Sequence, residues 1–140
     1  MRLVDVNVLV NASREDAPHH RPCHARVERI VSENEPIGLS DIVLSGFMRI
    51  VTHPRVFHPP TTFAEAATFA DTILTQPHCH RIVPGSRHWD IFKDLCHKTE
   101  AKGTLVMDAY LAALAIESNA EWISLDRDFS RFPGLRWTTP

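Results

Sequence analysis

Short apolar segments that alternate with helical stretches constrain this chain more than any other feature. Residues 2–6, 36–39, 81–83, 122–125 and 135–137 each read as a short strand. Between them, apolar side chains recur at helical spacing. Residues 18–32 carry Ala25, Val27, Ile30 and Val31, and a helix opened by Ser40 or Asp41 carries Ile42, Val43, Phe47 and Ile50 to its end at Val51. Thr61 and Thr62 cap a third, which carries Phe63, Ala66, Ala67, Ala70, Ile73 and Leu74. Ser86 caps a fourth, with Trp89, Ile91, Phe92 and Leu95, and Gly103 ends it. The last helix, residues 106–118, includes Ala109, Ala112, Ala113 and Ala115, small enough to let it lie close on a sheet. Residues 8–10 either extend the first strand or open a short helix.

Strands separated by helices need crossover connections, so they run parallel in a sheet covered on both faces. The expectation is an α/β fold, a three-layer α/β/α sandwich with a mainly parallel central sheet. At 140 residues two domains would be cramped, and residues 1–140 are read as one. Strand order stays open.

Composition removes several functions. A net charge of −2, with nine histidines counted neutral, gives no global basic field, so any nucleic-acid contact must come from local patches. No apolar run approaches the roughly 20 residues of a membrane span, so no membrane partner is expected. Asp5 breaks the apolar stretch that a secretion signal would need at this end. Three cysteines, Cys23, Cys79 and Cys96, are an odd number without a CxxC, which fits a reducing compartment. A cytoplasmic location is expected.

Four aspartates carry the chemical information. Asp5 interrupts Leu3, Val4 and Val6 inside an otherwise buried strand, where an ionised carboxylate is costly without a cation or donors. Asp108 is placed in the first turn of the last helix, where exposed amides alone would stabilise it. Asp126 and Asp128 follow a strand, where a solvated turn would also explain them. Topology lifts the set, because ligands of open α/β sheets collect at the carboxyl ends of strands. Carboxylates that meet in one cleft repel, and a hard divalent cation, Mg²⁺ or Mn²⁺, resolves the repulsion. Such an ion orients and deprotonates a water for phosphodiester cleavage.

Four stretches, taken in order, carry a resemblance: Val4-Asp5-Val6-Asn7; Leu44-Ser45-Gly46-Phe47-Met48-Arg49-Ile50-Val51-Thr52-His53-Pro54-Arg55-Val56-Phe57; Asp108-Ala109-Tyr110-Leu111-Ala112-Ala113-Leu114-Ala115; and Asp126-Arg127-Asp128-Phe129. Together they resemble the PIN-domain ribonucleases, and among these the VapC toxins of bacterial toxin–antitoxin pairs. The resemblance implies a Mg²⁺-dependent endoribonuclease with Asp5 and Asp108 on the metal and Asp126 and Asp128 completing the acidic cluster. The implied products have 5′-phosphate and 3′-hydroxyl ends. The implied partners are an RNA substrate, a VapB-type antitoxin and a second copy in a homodimer. One position departs from the pattern: Gly46 stands where the family usually has a glutamate. Asp41 is a poor substitute, because five residues along a helix turn through about 500°, some 140° off the same face. The alternative is therefore a weakened PIN-fold module that binds antitoxin or RNA without efficient cleavage. A receiver-like phosphoacceptor domain is set aside, since adjacent acidic residues on the first strand and a lysine at a late strand end are both missing.

Asn7 is read as a partner that orients Asp5 or binds the scissile phosphate, with Thr104 as a second candidate partner. Arg49 and Arg127 are the basic residues placed nearest the cleft to grip RNA phosphates. In the soft-ligand group His19-His20-Cys23-His24, His20 and His24 are four apart with Cys23 beside His20, so zinc geometry is conceivable. As whole groups, neither this one nor His78-Cys79-His80 matches a usual zinc spacing, and both read as exposed helix or loop that could still scavenge metal.

Overall fold

A computed structural model describes residues 1–140. Its strands are β1 (Arg2–Val4), β2 (Ile37–Leu39), β3 (Cys79–Arg81), β4 (Glu121–Ile123) and β5 (Arg136–Thr138). All adjacent pairs are parallel, in the order β3-β2-β1-β4-β5. The helices are α1 (Val6–Ser13), α2 (His20–Ser32), α3 (Asp41–Val51), α4 (Phe63–Leu74), α5 (His88–Thr99) and α6 (Thr104–Glu117). Helices α1 to α4 pack on one another, while α5 and α6 pair separately, with α6 against β4. Every residue of β2 is buried, as a strand covered on both faces requires. The result is the three-layer sandwich. No helix is long and apolar enough to cross a membrane.

The strand order locates the site. From β1 the chain steps to β2 and β3 on one side, then α5 and α6 carry it back to β4 on the other. The order in which strands are added therefore reverses between β1 and β4, and the carboxyl ends of those two parallel strands frame a crevice. Their register is Val4 opposite Ile123, and the Asp5 amide donates to the Ile123 carbonyl at 3.0 Å.

Local structure departs from the sequence expectation at several element ends. Residues 2–6 are not one strand: β1 stops at Val4, and Val8 to Val10 belong to α1. Valine is a modest helix former, but Val8, Leu9 and Val10 are buried, and tertiary burial outweighs local preference. Helix α2 begins at His20, two residues after Pro18. The third strand is Cys79–Arg81 rather than residues 81–83, and β4 and β5 are likewise offset from their expected bounds.

Ser86 does not cap α5; Arg87 holds that position with no side-chain cap of its own. The Glu117 carboxylate at the end of α6 accepts from the amides of Gly85 and Arg87 at 2.7 and 2.9 Å, so a neighbouring helix supplies the cap. Gly103 does not end α5 either. Glu100, in the left-handed region, closes that helix, and Gly103, at φ 59°, opens α6. A backbone with that φ favours glycine.

Candidate active site

Asp5 sits where β1 hands over to α1. Its extended backbone makes it the helix N-cap, and Oδ1 accepts from the Val6 amide at 2.7 Å. Oδ2 accepts from Asn7 Nδ2 at 2.8 Å and from Ser124 Oγ at 2.6 Å. The residue is only 6% exposed. Burial pushes its carboxyl up to about 6, against the opposing pull of the Ser124 and Val6 hydrogen bonds; the charge of Asp126 adds to the rise.

Ser124 is the residue that sequence reasoning missed. It follows β4 directly and is fully buried. Its hydroxyl donates to Asp5 and accepts from Asn7 Nδ2 and from the Asp126 amide, both at 3.0 Å. Asn7 completes the lattice by accepting from the Leu125 amide at 3.1 Å. Both Asn7 amide protons are thus spent on Asp5 and Ser124, which leaves no donor for a phosphate. The only sequence signal for Ser124 is a buried hydroxyl at the end of an apolar strand, just before the acidic pair.

Asp108 lies in the second turn of α6, not the first as expected from the sequence, because the helix begins at Thr104. Thr104 itself is exposed and makes no side-chain hydrogen bond to the cluster. Burial and then the charges of Asp126, Asp5 and Asp128 raise the Asp108 carboxyl to about 6, and no donor or cation opposes them. Asp126 caps a short 3-10 helix, Arg127–Arg131, accepting from the Asp128 amide at 2.9 Å. Asp5, Asn7, Arg49, Asp108 and Asp126 line one open cleft of about 630 Å³, together with Gly46 and apolar walls from Ile42, Ile50, Met107 and Leu111. Asp128 and Arg127 do not line it. Asp128 lies outside, 4.0 Å from Arg131 Nη1, and reaches the cleft only through its field on Asp108.

No three acidic, histidine or cysteine side chains close on one point. A small divalent cation that keeps much of its water shell and binds through one or two carboxylates suits such a donor set. Asp108 suits it best, since its oxygens have no competing donor.

The departure at Gly46 has a packing cause. A Cβ there would stand 2.9 Å from Val6 Cγ2, so glycine lets α3 lie against α1. Asp41 is exposed at the start of α3 and pairs with Arg81, so it does not replace the missing carboxylate. Of the remaining basic residues, Arg87 bonds the Glu117 carbonyl, Lys93 pairs with Asp90, and His88 is buried against Tyr110. The four-residue zinc arrangement around His20 does not form, because Cys23 is fully buried in the core.

A family model described as "PIN domain" matches residues 2–135. The chain is 46% identical to Ribonuclease VapC43 of Mycobacterium tuberculosis over 140 residues, which is all of this chain and 95% of that one. It is 38% identical to Ribonuclease VapC25 of the same species, covering all of this chain and 99% of the relative. Among solved structures, VapBC2 from Rickettsia felis bound to a DNA fragment from its promoter superposes with a TM-score of 0.72 at 19% identity, covering 99% of this chain and 97% of that one. VapC20 of M. tuberculosis, described as a Sarcin-Ricin loop cleaving toxin, superposes with a TM-score of 0.65 at 16% identity, covering 97% and 99%.

Proposed function

The chain belongs to the PIN-domain family, and from that premise we propose that it is a VapC-type endoribonuclease, the toxin of a toxin–antitoxin pair. One observation carries the reading: Asp5, Asp108 and Asp126 line a single cleft, and no basic side chain is among the groups that shift Asp5 or Asp108. The uncompensated charge is what a divalent cation offsets.

A bound Mg²⁺ or Mn²⁺ would activate a water and neutralise charge on the phosphate in flight. Asp5 and Asp108 would hold it. Asp5 is aimed by three donors and cannot swing away, while Asp108 offers free oxygens. Asp126 and, from outside the cleft, Asp128 deepen the negative potential. Arg49, which lines the same cleft from α3, would take a substrate phosphate. Asn7 is a positioning residue, given its spent donors. Arg127, on the exposed 3-10 helix, can meet RNA only beyond the cleft rim. A VapB-type antitoxin and a second copy of the chain are the protein partners that this reading carries.

Cleavage of total RNA is expected with Mg²⁺ or Mn²⁺ and to vanish with chelator or in Asp5→Asn. Cutting that persists through both changes would sink the proposal.

The non-cleaving alternative is not favoured, because Gly46 is explained by the approach of α3 to α1 rather than by decay of the site. Restoring the family carboxylate with Gly46→Glu is therefore expected to bring no gain in cleavage. Forcing a side chain against Val6 overpacks the contact and lowers stability by about 1–3 kcal/mol. Thermal melts and the same RNA assay check both halves; a large gain in activity would mean that the glycine had impaired the site.

A further inference from the structure

The first turns of α2 carry an arrangement that the cleft does not use. His20 and His24 stand four residues apart, with ring centroids at 5.0 Å and planes 28° apart. His20 Nδ1 lies 2.9 Å from the Asn11 carbonyl oxygen, and His24 Nδ1 lies 3.3 Å from that of Ala12. A carbonyl only accepts, so each Nδ1 carries its proton, and Nε2 is the nitrogen left to meet an ion once any proton on it is displaced. The two carbonyls belong to the last turn of α1, where helix carbonyls lack partners along their own helix. The rings are therefore held by groups that need a donor. An imidazole anchored through one nitrogen to a backbone carbonyl is the usual state of a metal-ligating histidine. Two histidines four apart on one helix face are also the spacing by which helices chelate zinc. One turn further along, Glu28 Oε1 lies 3.2 Å from His24 Nε2. A carboxylate only accepts, so this contact belongs to the protonated ring, and an ion bound at Nε2 takes the place of that proton. His24 is about half exposed, so the pair is open to solvent ions.

We propose that His20 and His24 chelate a divalent first-row transition ion through their Nε2 atoms, at a site separate from the acidic cleft. No third side chain closes on the pair, so water fills the other positions. Imidazole nitrogen selects Cu²⁺, Ni²⁺ or Zn²⁺ over Mg²⁺, with Cu²⁺ the tightest of them. The cleft, built from oxygens, makes the opposite selection. Ligation at Nε2 strengthens the Nδ1–H donors and so ties α2 to the end of α1. Asn11 belongs to that end and also lines the cleft.

The test uses the untagged full chain in excess Mg²⁺, titrated with Cu²⁺. One ion per chain is expected by calorimetry, with nitrogen hyperfine structure from two imidazoles in the electron paramagnetic resonance spectrum. His20→Asn and His24→Asn should each weaken binding by more than about tenfold, the lower end of what losing even an outer partner of a metal site costs. His97→Asn, on α5, should leave it unchanged. Wild-type affinity in either α2 variant, or fewer than two imidazole nitrogens in the wild-type spectrum, overturns the proposal. The spectrum decides the matter even if a variant folds poorly, and neither readout depends on RNA cleavage.

Discussion

Replacing Asp108 with asparagine is expected to abolish RNA cleavage and to make the metal-free protein more stable. The activity loss should be about 10²–10³-fold or more, the scale of removing one electrostatic stabiliser of a transition state. The gain in stability follows from what surrounds the carboxylate. Asp108 has no donor to lose, and Asp126, Asp5 and Asp128 all disfavour its charge. A rise from 3.8 to about 6 corresponds to about 3 kcal/mol at most. Partial exposure screens that to something on the order of 1 kcal/mol, or roughly 3 °C in melting temperature for a chain of this size.

The pH dependence has a definite sign. The unfolded carboxyl ionises near 3.8 and the folded one near 6, so between them the folded state holds the extra proton. Stability is therefore fully present below pH 3.8 and is lost as pH rises through 6. In chelator, the wild type should weaken across that window and Asp108→Asn should weaken less, with Asp5 supplying the slope that remains. Melting curves at pH 5, 6 and 7.5 measure this. A variant less stable than wild type at pH 7.5 would show that Asp108 is held by favourable contacts, contrary to its surroundings here.

Ser124→Ala is expected to act in the opposite direction on stability. The hydroxyl serves Asp5, Asn7 and the Asp126 amide at once. Its removal loses a hydrogen bond to a charged group and leaves donors with no partner, at a cost of about 3 kcal/mol. The melting temperature should fall by roughly 10 °C. Ser124 is also the strongest influence holding the Asp5 carboxyl down, so the Asp5 carboxyl should titrate higher still in the variant. Cleavage should fall mainly in kcat, and its pH profile should move to higher pH. Ser124→Thr, which keeps the hydroxyl, should recover part of both. A lower melting temperature with an unmoved pH profile would reduce Ser124 to a structural residue.

Much of this architecture is legible in the sequence because it depends on short-range pattern. Strand–helix alternation demands parallel crossovers whatever the details, and of the two threonines expected to cap α4 it is Thr62 that does so, in a capping box with Glu65. What escapes the sequence depends on neighbours far along the chain. Ile82 and Val83 drew the third strand toward themselves, yet β3 is an edge strand whose side chains are half-exposed or exposed and carry little apolar signal. Ile82 instead lies over Gly38, where a Cβ would stand 2.5 Å from its Cγ1. Gly103 looks like a helix stop because a positive φ suits either the end of one helix or the start of another. Asp5, Asp108 and Asp126 attract notice as acidic residues in apolar surroundings, and they do share a cleft. Ser124 does not attract notice, because a serine after a strand is ordinary until β4 is known to lie beside β1.

That adjacency joins the first strand of the chain to one of the last. Asp5 is synthesised about a hundred residues or more before Asp108, Ser124 and Asp126, and β4 must dock on β1 before they can meet. A nascent or truncated polypeptide that stops before Asp108 carries one of the cleft's aspartates and no cleft. On the proposed function, the molecule cannot attack RNA before those residues have been made and docked, so its own ribosome and message are spared until then.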